Sequence, residues 1–115
     1  IYAHKKLVIT GMDIHTDVLH REVTAEIWTA EGISYTDAMF DLAQWRLVAN
    51  HTLTGQGGDP VSVPNFLATE VRSGIQGFYV TLKMPDLRYT ITNKQVGEVF
   101  AKNDDVEIRV GAGVG

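Results

Sequence analysis

Residues Ser34 to His51 read SYTDAMFDLAQWRLVANH, and the fold turns on how this stretch is read. Ala30-Glu31-Gly32 interrupts the strand-like segment before it. Ser34 stands ahead of Asp37 at the spacing of an approximate capping box, and an acid suits the first turn of a helix. The stretch is therefore expected to be one helix, about Ser34 to His51. At helical spacing Asp37, Asp41, Gln44 and His51 make a narrow polar stripe, while Ala38, Met39, Phe40, Leu42, Ala43, Trp45, Leu47, Val48 and Ala49 cover most of the rest. A helix that rests one side on a sheet needs an apolar arc of about 100° or somewhat more. This arc is much wider, so a long loop, a curled sheet or a second subunit has to cover the excess.

On the N-terminal side, Lys5 to Ile14 reads as a strand that is apolar on both faces. His20 to Thr29 alternates, with Val23, Ala25 and Ile27 on one face and Glu22, Thr24, Glu26 and Trp28 on the other. With His15 to Leu19 as connection, the two strands are expected to form an antiparallel hairpin. On the C-terminal side, residues 53–64 are rich in Gly and Pro and read as a long loop. Asn65 to Arg72 and Gly77 to Met84 read as a second hairpin, Leu87 to Thr92 as a further strand, and Val96 to Ala101 with Val106 to Val110 as a last hairpin. Residues 111–115 read as a flexible tail.

The expected architecture is a single α+β domain over 1–115, in the order ββαβββββ. One central helix packs on a mostly antiparallel sheet, as a β-grasp-like fold or as a small β-barrel or sandwich with one helix. The segment Val99 to Ile108 (VFAKNDDVEI) resembles the final hairpin of ubiquitin-like sulfur carriers and related small β-grasp domains. The resemblance covers the end of the chain and implies a fold only. Sulfur carriers end in Gly-Gly, whereas this chain ends Val114-Gly115, so no sulfur-transfer activity follows from it.

Composition narrows the function classes. At 115 residues, 44% apolar and 21% charged, the chain suits one globular domain. The absence of cysteine excludes disulfides and thiolate metal sites. The net charge is -4 and the 10 basic residues are scattered, so nucleic acid is not an expected partner. No apolar run reaches the roughly 18 residues of a membrane span, and Ile1-Tyr2-Ala3-His4 is not a signal peptide. A soluble protein is expected, with no compartment indicated.

Two constellations have the residue types for chemistry. Asp13, His15, Asp17, His20 and Glu22 surround the first expected turn; imidazole and carboxylate suit zinc, manganese or iron where several converge, and residues two apart on a strand share a face. The helical stripe Asp37, Asp41, Gln44 and His51 would place carboxylates at i and i+4, suited to acid–base work if it lined a concavity. Gly55-Gln-Gly-Gly58 lacks the preceding strand and following helix of a phosphate loop. No catalytic triad is legible, and no cofactor is expected. Trp28 lies on the polar face of its strand, and Tyr79 lies opposite Phe78 and Val80. Together with Trp45 they are the candidate interface residues, since large aromatics concentrate at binding hot spots. The expected function is thus a non-enzymatic structural or interaction subunit of a homo-oligomer or larger assembly, such as a virus or phage particle or a filament. The alternative is a small enzyme or ligand-binding domain that uses the Asp37/Asp41/His51 stripe or a metal at Asp13, His15 and Asp17.

Overall fold

The computed structural model describes residues 1–57, 59–83, 87–88 and 91–113. The chain is organised around one long strand, β4 (Leu19–Ala30), of 12 residues. It is preceded by β1 (Tyr2–Ala3), β2 (Leu7–Ile9) and β3 (Asp13–Ile14). A single helical turn, α1 (Tyr35–Ala38), and a 3-10 turn at Leu42–Gln44 follow it. Then come β5 (Arg46–Gln56), β6 (Val61–Ser62), β7 (Thr69–Val71), β8 (Gly74–Ile75), β9 (Gly77–Leu82), β10 (Val99–Lys102) and β11 (Val106–Arg109).

Among the described residues all strand pairings are antiparallel. β4 lies between β5 and β9 in a three-stranded sheet, and β1 lies between β11 and β8 in a four-stranded one with β10 at its edge. β2 pairs with β7, and β3 with β6. The described residues therefore form a mostly antiparallel β structure with one short helix. Its radius of gyration of 14.0 Å is close to the roughly 13 Å of a compact chain of about 100 residues.

The long sheet owes its place to β4. Val23, Ala25 and Ile27 alternate with half-exposed Thr24, Glu26 and Trp28, as the sequence pattern requires. The apolar face shares one core cluster with Val48, Ala49 and Leu53 of β5 and with Ile14 and Val63; Phe78, Val80 and Leu82 of β9 pack against it. Beside this core sits a closed polar knot. Gln76 Nε2 donates to Thr29 Oγ1 at 2.7 Å, and that hydroxyl donates to the Gly77 carbonyl at 2.9 Å, so it satisfies two buried groups at once. Thr29→Val keeps the shape but removes the acceptor of the buried Gln76 amide and a donor to the Gly77 carbonyl, and should cost about 2 kcal/mol in a urea denaturation series.

Several expectations are corrected. The helix over Ser34 to His51 ends after Ala38, and Arg46 to His51 is instead the first half of β5. Ser34 does cap the helix, accepting from Asp37 N at 3.4 Å. Asp41 interrupts it: with extended backbone, it caps the 3-10 turn through its carboxylate, which accepts from Ala43 N at 3.1 Å. The segment reads as apolar on all sides because exposed Met39, Phe40 and Leu42 on the turn are followed by Val48 and Ala49, which β5 buries in succession at a bulge. The order ββαβββββ and a central helix are thereby replaced. Lys5 to Ile14 is two strands, neither of which pairs with β4, so the first hairpin is absent; β7 and β9 likewise pair with β2 and β4, not with each other. Residues 53–56 continue β5, which shortens the expected 53–64 loop. Met84 and two residues of the Leu87 to Thr92 segment, Tyr89 and Thr90, lie outside the described residues, as do Val114 and Gly115 of the expected tail. The last hairpin forms as expected, as β10 paired with β11.

Candidate functional site

Facing residues of an antiparallel pair project to the same side of a sheet. In the long sheet Trp28 faces Tyr79 on β9 and Leu47 on β5, which makes an apolar row across the outer face. Below it the same face is polar: Glu26 stands between Asn50 and Thr81, and the hydroxyls of Thr24 and Thr52 lie 3.1 Å apart.

The chain between β4 and β5 folds toward this row. Trp45 Nε1 donates to the Ala38 carbonyl at 3.0 Å, which fixes the indole, and its ring meets Tyr79 edge-on at 6.3 Å between centroids. That geometry is one of the favoured aromatic arrangements. All three expected interface residues, Trp28, Trp45 and Tyr79, are thus brought together at one end of one sheet. Sequence reasoning missed their neighbours. Phe40 is 92% exposed and Leu42 86%, with Met39 beside them also exposed, all on the turn that carries Trp45. The signal was present in the sequence, but the assumption of a continuous helix spread these side chains around a wheel.

The polar constellations fare differently. Asp13, His15 and Asp17 do lie on one exposed face, alternating with buried Ile14, Thr16 and Val18. Each acid is engaged elsewhere: Ser62 Oγ donates to Asp13 at 2.8 Å, and Arg88 pairs with Asp17 at 3.1 Å. His20 sits at a kink with φ 56°. Among the described residues no group of three or more His, Asp or Glu is placed to hold a metal ion. The stripe is dismantled with the helix: Asp37 stays on α1, Gln44 donates to Asp41 at 3.2 Å, and His51 moves onto β5, facing Ala25 in the ladder.

Two depressions lie elsewhere on the described surface. One, of ≈ 560 Å³, is lined by Glu31, Arg46, Glu70 and Arg72 among others, with Arg46 held on Glu31 at 2.6 Å. The other, of ≈ 530 Å³, includes His4 and Glu107, paired at 3.0 Å. Glu107 also meets Arg109 at 3.1 Å, and that guanidinium lies 4.4 Å from the centre of the Tyr2 ring, so this cluster clamps β1 to β11.

The described residues thus make a mostly antiparallel β protein with an aromatic surface at one end of its longest sheet. No helix among them is long and apolar enough to cross a membrane. No family model, curated protein or solved structure matches the chain.

Proposed function

We propose that the protein is a non-enzymatic interaction subunit that self-associates through the surface formed by Phe40, Leu42, Trp45, Tyr79 and Trp28, as part of a homo-oligomer or larger assembly. One observation carries this reading: Phe40 and Leu42 are almost wholly exposed on the turn that leads into Trp45, whose ring meets Tyr79. Single exposed apolar residues are ordinary; a contiguous aromatic cluster marks an interaction site. Trp45 is already held by its hydrogen bond, so little side-chain freedom is lost on contact. Within this reading the fold is the two-layer, sandwich-like alternative, with the patch on the outer side of one layer.

The test is mass in solution. Light scattering across a micromolar concentration series should give a defined oligomer, and Phe40→Glu combined with Leu42→Glu should reduce it to a monomer. Neither side chain is buried in the single chain, so unfolding of that variant should stay within about 1 kcal/mol of the parent. A parent that is monomeric at high micromolar concentration refutes the reading.

A further inference from the structure

We propose that β9 is the edge through which two copies of this chain pair, antiparallel and about a two-fold axis beside Thr81. The proposal deepens the self-association reading above and rests on it. Exposed strand edges invite pairing, and proteins blunt them with charge, proline, bulges, brevity or cover. The other edges of the three- and four-stranded sheets carry such devices. β5 has a bulge at Val48, whose carbonyl accepts from Leu67 N at 2.8 Å. β10 has a register shift and ends in Lys102, and β8 has only 2 residues. β9 reads Gly-Phe-Tyr-Val-Thr-Leu, pairs with β4 without a register shift, and has no strand on its other side among the described residues. α1 approaches it at Gly77, where an added Cβ would lie 3.1 Å from Tyr35 N.

The backbone bonds set the register. Lys83 N donates to Thr24 O, so position 83 faces β4, as do 81 and 79 by alternation. Val80 and Leu82 therefore present their backbone groups to the open side. In a two-fold pair Val80 exchanges bonds with Leu82 of the second copy, and the two Thr81 residues face each other without hydrogen bonds. The same register sets Tyr79, 40% exposed, opposite Lys83 of the second copy, an aromatic ring facing an ammonium group on the outer side of the sheet. The Lys83 ammonium, exposed and 3.3 Å from its own Glu26, meets the ring once on each side of the axis. The three-stranded sheets of two copies join into one, and their aromatic surfaces become neighbours across the joint, which is why a second copy is the occupant that fits.

The cysteine-free chain makes the test direct. Facing residues of a non-bonded antiparallel pair have Cα atoms about 4.5 Å apart, inside the about 4.4–6.8 Å that a disulfide spans. Thr81→Cys should therefore oxidise to a covalent dimer at concentrations where Thr54→Cys, exposed on β5, stays a single chain on a non-reducing gel. Thr81→Lys sets like charges face to face across the axis, while within each copy the new lysine faces Glu26 and the fold is kept. It should raise the dissociation constant roughly tenfold or more. If the parent self-associates but Thr81→Cys links no better than Thr54→Cys, the β9 pairing is wrong and the self-association reading survives. A parent that stays monomeric overturns both.

Discussion

An Ile27→Ala protein is expected to lose roughly 4 kcal/mol of stability, read as a fall in the urea midpoint with an unchanged slope. Ile27 is wholly buried and is among the largest side chains of the core. It stands at the middle of the long sheet, facing Ala49 on one neighbour and Val80 on the other. Truncation there removes the transfer free energy of three carbons and leaves a cavity. Backbone pairing on both sides, without a register shift toward β9, holds the surroundings apart, so collapse into the space is limited. For a domain whose total stability is of the order of 5–15 kcal/mol, this is a large share. A loss below about 1 kcal/mol would mean that β4 does not run through the centre of the core.

Gly55→Ala is the second large effect, and it arises from backbone rather than from packing. A Cβ on Gly55 would lie 2.2 Å from the Val18 carbonyl oxygen and 2.8 Å from the carbonyl carbon. Neither atom can swing away, because the same carbonyl accepts a hydrogen bond from Gly57 N at 2.9 Å. The approach is produced by the bulge at His20 and Arg21, where Leu19 faces Gln56 and Glu22 faces Thr54. His20 takes φ 56° to turn the chain there. Alanine is expected to cost roughly 3 kcal/mol and to lower the melting temperature by about 10 °C. An unchanged melting temperature would show that Gly55 of β5 and Val18 do not approach in this way.

The parts of the fold that were legible in the sequence are those where one local rule decides. Val23, Ala25 and Ile27 alternate with polar residues, and their burial follows from the two-residue period of a strand. The hairpin of β10 and β11 follows from the Asn-Asp-Asp turn, where Asn103 Oδ1 accepts from Asp105 N and Val106 N. The strand partners were not legible, because pairing joins Leu7 to Val71 and Tyr2 to Glu107, across separations that no local pattern encodes. The segment from Met39 to His51 was misread because its apolar residues serve three environments in turn: an exposed turn, the aromatic row and the core. Tertiary context overrides local preference in such a run. The aromatic site was legible as residues and not as a place. Trp28 and Tyr79 stood out for occupying the wrong faces of their strands, but their meeting with Trp45 depends on the order β5-β4-β9.

The position of β1 has a consequence for synthesis. Its 2 residues fill the slot between β8 and β11, Tyr2 facing Ile75 on one side and Glu107 on the other. A ribosome delivers Tyr2 long before either partner exists. That sheet therefore closes only when the last hairpin has emerged, whereas β4, β5 and β9 can assemble earlier. Contacts so distant along the chain slow folding, since loop-closure entropy is lost before they form. Until closure, Ala3 and its neighbours have no layer to rest against, and the nascent chain is most exposed to wrong pairing during that interval.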